Sequence, residues 1–179
     1  MSPDVEHKWV GRVFTSDEFR LVQQLACLLW SSPAWKMAPR DVWIGWSATQ
    51  REQNLQYIVN NSRFLILPWV RVSGLASKIL SRCARQLPKD WQQRYGYRPL
   101  LLETLVDGAR FAGTSYRAAN WVLLGQTAGR GRMDRQRQAA VRRKDIYVYP
   151  LCRHMPYCLQ TGRDTAKWAA RICEECRFP

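Results

Sequence analysis

Between Arg63 and Val106 the sequence runs strand, turn, helix, strand, and this order narrows the fold more than any other feature. Arg63-Phe64-Leu65-Ile66-Leu67-Pro68-Trp69-Val70 is short and continuously apolar, as a strand buried on both faces is. Pro68 cannot donate to a ladder, so a bulge or a splay from the neighbouring strand is expected there. Ser73 is placed to cap a long helix with Leu75, Ile79, Cys83 and Leu87 on its inner face. Pro88 is expected to break or kink that helix, and Gly96 to end its second piece. Leu100 to Val106 is another buried strand, interrupted by Glu103.

The flanks extend the alternation. Thr15-Ser16-Asp17-Glu18 has the form of a capping box, with Phe19, Val22, Leu25 and Ala26 on the helix that follows, as far as Ser31-Ser32-Pro33. Ala26-Cys27-Leu28-Leu29-Trp30 equally suits a short strand, because periodicity does not arbitrate over so few residues. Asp41-Val42-Trp43-Ile44-Gly45-Trp46 reads as a strand. Thr49 and Glu52 form a second capping box, for a helix with Leu55, Ile58 and Val59 on one stripe and Asn60-Asn61 at its end. A short helix from Ser115 to Ala119 leads into a strand, Trp121 to Gly125, and Ile146-Tyr147-Val148-Tyr149 is the last strand. From Leu151 the pattern fades. The expected organisation is an N-terminal segment with a capped helix (1–25), an α/β domain (26–151) and an irregular cysteine-containing tail (152–179).

A chain of 179 residues with 46% apolar residues and nine Trp fills one core, which argues against global disorder. Its 28 Lys and Arg against 14 acids leave a formal charge of +14, which favours an anionic partner: nucleic acid, a phosphorylated cofactor or an acidic protein. The start, Met1-Ser2-Pro3-Asp4-Val5-Glu6, lacks the basic and apolar regions of a secretory signal, and no apolar run is long enough to span a bilayer. Six cysteines in such a chain suit reduced thiols and a cytoplasmic location, with no membrane partner.

Three constellations bear on chemistry. Arg71-Val72-Ser73-Gly74-Leu75-Ala76 joins a buried strand to a helix. A glycine there lets backbone amides point at an anion, and the helix adds its positive end; the same residues also serve as an ordinary strand-to-helix turn. Arg130, Arg132, Arg135, Arg137, Arg142, Arg143 and Lys144 crowd one hairpin made flexible by Gly129 and Gly131, which suits a phosphate backbone, DNA or RNA, without base specificity. Cys152, His154, Cys158, Cys173 and Cys176 include one Cys-x-x-Cys pair, but Cys152 and Cys158 lie outside the usual ligand spacing, so thiols without metal are expected. Glu103, in a buried apolar strand, must be ion-paired or carry a raised pKa, and a raised carboxylate serves as a general base. Trp43, Trp46 and Trp69 are read as packing residues, with base or adenine stacking as the alternative.

Arg-x-x-Gly-x-Ala at Arg71 to Ala76, after a bulged strand, resembles the acyl-CoA pyrophosphate loop of the GNAT N-acetyltransferase superfamily. Tyr116-Arg117-Ala118-Ala119-Asn120-Trp121-Val122-Leu123-Leu124-Gly125 resembles the helix-to-strand segment of that superfamily. The resemblance implies a GNAT-like mixed sheet flanked by helices. It places acetyl-CoA or another acyl-CoA on Leu67, Val70, Arg71, Val72, Ser73, Gly74, Leu75, Ala76, Ser77 and Asn120, with Glu103 as base and Tyr116 as the acid that protonates the departing thiolate.

A closer resemblance covers about Ala26 to Leu151. Ala34-Trp35-Lys36, Ile44-Gly45-Trp46-Ser47, Asn60-Asn61-Ser62-Arg63-Phe64-Leu65-Ile66-Leu67-Pro68-Trp69-Val70, Phe111-Ala112-Gly113-Thr114 and Gly125-Gln126-Thr127 are similar to the Druantia-protein-A-like family. That resemblance implies an anti-phage defence or transposase-associated setting, with transposase or defence-system proteins as partners. Members of the family are longer, and Gly11-Arg12-Val13-Phe14-Thr15 resembles their beginning, so the sheet is expected to be incomplete at its N-terminal end. The function expected is a nucleic-acid-associated domain gripping phosphates through the Arg-rich hairpin. The alternatives are an acyl-CoA-dependent N-acyltransferase and a basic subunit that docks an acidic protein.

Overall fold

A computed structural model describes residues 10–15, 24–129 and 142–161. Six strands form one mixed sheet in the order β1-β2-β3-β4-β6-β5. They are β1 (Val10–Thr15), β2 (Gln24–Ser31), β3 (Ile58–Ile66), β4 (Leu101–Val106), β5 (Val122–Gln126) and β6 (Asp145–Pro150). Only β3 and β4 run parallel; every other neighbouring pair is antiparallel. The helices are α1 (Ala38–Ile44), α2 (Ala48–Asn54), α3 (Leu75–Tyr95), α4 (Thr114–Ala118) and α5 (Met155–Thr161). From β3 onward the order strand, helix, strand, helix, strand, strand is that expected of the α/β sheet.

The sheet separates two cores. On one face α3 and α4 cover Leu28, Trp30, Val59, Leu102 and Tyr147; on the other α1 and α5 cover Ile58, Leu101, Ile146 and Val148. Alternation along β4 sends Leu102, Thr104 and Val106 to the α3 face and Leu101, Glu103 and Leu105 to the α1 face. In β3 the register against β2 shifts at Leu29/Trp30, so Ser62 is an extra residue. That bulge lets Val59 and Asn61, then Phe64 and Ile66, all face α3.

Several elements differ from the sequence-based expectation. Leu25 and Ala26 belong to β2 rather than to a helix; the strand alternative had this for Ala26 to Trp30, and β2 starts earlier, at Gln24. Thr15 ends β1, and Ser16 to Val22 lie outside the described residues. Asp41 to Ile44 are helical. Pro39 opens the turn, Gly45 closes it in the left-handed region at φ 74°, and burial of Arg40 and Ile44 at helical spacing overrides the strand preference of Val42 and Trp43, which are exposed. The next capping box is Ser47 with Gln50, not Thr49 with Glu52. Its helix stops at Asn54, and Ile58 and Val59 open β3, buried on opposite faces as in any central strand. Asn60 and Asn61 are therefore strand residues. Pro88 does not interrupt α3, a single helix of 21 residues. Burial of Leu87, Pro88 and Trp91 outweighs the lost backbone bond, a cost of about 3 kcal/mol.

The tail is not wholly irregular, since α5 belongs to the second core through Met155, Cys158 and Leu159. It is tied to the first helices by Asn54, whose amide donates to the Leu159 carbonyl (3.0 Å), and by Gln160, which donates to the Ile44 carbonyl (2.6 Å). No helix among the described residues is long and apolar enough to cross a membrane.

Candidate functional site

The parallel ladder between β3 and β4 runs from Ile58↔Leu101 to Asn61↔Thr104 and then stops, although β3 continues to Ile66. The strands thus part at Asn61, well before Pro68, which lies in the turn after β3. The bulge at Ser62 accounts for the early fork. Asn61 holds it: its amide donates to the carbonyls of Leu29 (3.2 Å) and Arg63 (3.0 Å), across the bulge. Its side-chain oxygen accepts from the Tyr116 hydroxyl at 2.8 Å, and Thr104 donates to the Asn61 carbonyl at 2.9 Å.

Beyond the fork lies a cavity of about 250 Å³. Ile66, Val72 and Gly74, the first turn of α3 (Leu75, Ala76, Ser77), and Thr114, Ser115 and Ala118 of α4 line it. Gly74 is the N-cap of α3, left-handed at φ 71°, and no side chain caps the helix. Ser73 does not supply the expected cap; instead the Ser77 hydroxyl donates to the Gly74 carbonyl (2.9 Å). A backbone that must turn left-handed takes glycine without strain, and a side-chain acceptor is then lost from the cap position. The uncapped first turn presents its positive end at the cavity.

Of the residues expected around an acyl-CoA, Val72, Gly74, Leu75, Ala76 and Ser77 line this cavity. Leu67 and Val70 are half-buried in the preceding turn, where the Val70 amide donates to the Leu67 carbonyl (2.9 Å). Arg71 and Ser73 are exposed on the loop, and Asn120 is exposed at the end of α4, left-handed at φ 63°. Thr114, Ser115 and Ala118 are not among the cavity residues the sequence points to, which on this short helix and its end are Tyr116 as acid and Asn120 beside the acyl-CoA.

Glu103 and Tyr116 are not brought together. Glu103 points to the α1 face, fully buried, and its carboxylate accepts from Arg40 at 2.9 Å and from the Ala34 amide at 3.3 Å. Arg40, itself fully buried, also donates to Asp41 (2.8 Å) and to the Ala34 carbonyl (2.9 Å). Burial pushes the Glu103 carboxyl up, against the pull of Arg40; burial works to lower Arg40, but Glu103 and Asp41 together outweigh it and raise it. The two ends differ because Arg40 meets two carboxylates and Glu103 one cation. Tyr116 lies on the α3 face, stacked on Tyr147 (5.8 Å between centroids) and edge-on to Trp121 (5.1 Å). Burial raises its phenol, with an opposing hydrogen bond from Thr104. A single acid–base pair needs both groups at one reacting centre, and β4 lies between these two.

Arg130, Arg132, Arg135 and Arg137 lie outside the described residues. Arg142 and Arg143 are exposed, and Lys144 is half-buried where the chain enters β6. There the Thr127 amide donates to the Lys144 carbonyl and the Lys144 amide to the Thr127 hydroxyl, both at 2.9 Å, so the two ends of the basic segment leave the sheet side by side. Cys173 and Cys176 also lie outside the described residues. Cys158 is buried in α5, where burial raises its thiol and a hydrogen bond with Cys152 opposes that. Trp46 is buried with its indole donating to Asp41 (3.1 Å), whereas Trp69 is exposed.

No curated protein matches the chain. A protein family does, over residues 17–157, which take in β2 through β6 and the start of α5, and with them the fork, the cavity and the Arg40–Glu103 pair. The chain belongs to the Druantia protein DruA family, an anti-phage defence-related family.

Proposed function

We propose that this domain grips nucleic acid by its backbone phosphates within an anti-phage defence-related protein. The observation that carries the reading is the formal charge of +14, together with Arg142 and Arg143 exposed where the basic segment leaves the sheet. Arginine forks suit phosphate, and contacts of this kind position a duplex without reading its sequence. A transposase or another defence-system protein is the partner proposed beside the nucleic acid, and a cytoplasmic setting fits the cysteines. Binding to short DNA and RNA is expected to weaken steeply with salt. Arg142→Gln/Arg143→Gln/Lys144→Gln should flatten the slope of log K against log salt by about 2 to 3 units. Binding that is absent, or indifferent to salt, overturns the proposal.

The cavity favours a second reading, a slot for the phosphate end of an acyl-CoA at the uncapped start of α3. With Glu103 and Tyr116 on opposite faces of β4, the slot is proposed as a binding site. Acetyl-CoA is expected to raise the melting temperature. Gly74→Glu should abolish that rise by setting a carboxylate against the ligand's phosphates, while Gly74→Asn, which tolerates the left-handed backbone, should retain it. A melting temperature indifferent to acetyl-CoA in the parent chain removes this reading.

A further inference from the structure

We infer that the outer face of α3 is a second phosphate-binding surface, a rigid row of cations that lies along the backbone of a nucleic-acid duplex. The inference rests on the nucleic-acid reading above but concerns a different element.

Lys78, Arg82, Arg85 and Lys89 are all exposed. Their spacing of four, three and four residues keeps them within about 60° of one another around the helix. The buried residues of α3, Ile79, Leu80, Cys83, Ala84, Leu87, Pro88 and Trp91, occupy the opposite half of the helix, with Ile79 and Pro88 at its two edges. The row is therefore turned straight outward from the sheet and is about 16 Å long at 1.5 Å per residue.

The row works against helix stability. Lys78 with Arg82, Arg82 with Arg85, and Arg85 with Lys89 are like-charge neighbours, each costing a few tenths of a kcal/mol. A solvated helix face usually offsets such pairs with interspersed acids, yet the helix has one acid, Asp90. That residue is half-buried on the flank and accepts from Gln86 at 2.9 Å. The rest of the outer face is Gln86, Gln92 and Gln93, all exposed. None of the four cations is in an ion pair among the described residues. An external polyanion is the partner that turns this repulsion into attraction.

The same face decides between nucleic acids. Single strands are held by cations interleaved with aromatic rings on which bases stack. The outer face of α3 carries no aromatic residue, since Trp91 is buried and Tyr95 half-buried. A straight row of cations without a stacking platform suits the closely spaced charges of a duplex backbone. Arg117 is a further exposed cation, on α4, which packs beside α3.

The test is fluorescence anisotropy with a labelled DNA duplex of mixed sequence, over a range of salt. It compares the full chain, Lys78→Gln/Arg82→Gln/Arg85→Gln/Lys89→Gln, and Arg142→Gln/Arg143→Gln/Lys144→Gln. Glutamine matches Lys and Arg in helix propensity, so the fourfold variant should melt at or above the parent's temperature. It is expected to bind at least about tenfold more weakly at low salt, with a slope flattened by about 3 to 4 units, equally for unrelated duplexes. A charge-keeping variant, Lys78→Arg/Lys89→Arg, should retain the parent's slope. If the fourfold variant keeps the slope while the Arg142 variant loses it, the α3 surface is refuted and the hairpin reading stands. If only the fourfold variant loses it, the α3 surface holds and the hairpin reading falls. No duplex binding by the parent refutes both, as does binding of poly-glutamate through α3 without binding of duplex, which assigns the face to an acidic protein.

Discussion

Gly113→Ala is expected to cost about 3 kcal/mol or more and to lower the melting temperature by about 10 °C. Gly113 is the N-cap of α4, left-handed at φ 67°, where a side chain adds about 1 kcal/mol of backbone strain. The larger part is steric. A Cβ there would stand 2.6 Å from Cζ and 2.9 Å from Cε2 of Tyr147, and closer still to the Tyr147 hydroxyl. That ring has no exposed surface and is stacked on Tyr116, so it has nowhere to go. Gly74 is the internal comparison. It too is left-handed, but a Cβ there meets nothing within 4 Å, so Gly74→Ala should show only the backbone strain. Thermal and urea denaturation of the two variants measure the difference. Equal, small losses would mean that α4 does not approach β6 as described. Tyr147→Leu in the Gly113→Ala background should recover part of the loss, because the two positions share one space.

Arg40→Met is expected to destabilise the domain by about 3 to 5 kcal/mol, since it strands a buried carboxylate. Arg40→Met/Glu103→Leu should recover most of that, because the cost lies in the unpaired charge and not in the missing cation. The effect carries a pH signature. The native carboxyl of Glu103 is already raised, by burial first. A raised acid contributes stability that is full below its unfolded pKa and lost as pH rises through its folded pKa. Without Arg40 the folded pKa climbs further, so the deficit against the parent should be smallest in acid and grow toward neutral pH. Urea unfolding at pH 5 and pH 8 checks the sign. A deficit that shrinks as pH rises would show that Glu103 does not depend on Arg40 for its charge.

The elements legible in the sequence were those whose pattern is local. Leu75, Ile79, Cys83 and Leu87 repeat at helical spacing over about three turns, and β4 and β6 are apolar runs between clear turn residues. Asp41 to Ile44 misled because Val and Trp suit strands, while the decisive fact, burial of Arg40 against Glu103, joins residues 63 apart in sequence. Ile58 and Val59 misled because two adjacent apolar residues fit a helix stripe and a doubly buried strand equally. The loop at Gly74 was legible from its glycine and the helix behind it. Asn61 as the pin of the fork was not, because its partners, Leu29 and Tyr116, belong to β2 and α4. An ion pair was foreseen for Glu103 as the alternative to a general base, but the sequence offered many arginines and no reason to choose Arg40.

The clasp of α5 on α1 and α2 has a consequence for the order in which the chain can become native. On the α3 face every apolar partner from Ala26 to Tyr147 is outside the ribosome once β6 has emerged from it. On the α1 face Met37, Ile44 and Trp46 wait for Met155, Cys158 and Leu159, and the Ile44 carbonyl waits for Gln160. At about 5 to 20 residues per second this interval lasts about half a second to two seconds. Until it ends, one side of a growing sheet is bare while the other is already closed, and a nascent chain in that state is a natural client for a chaperone.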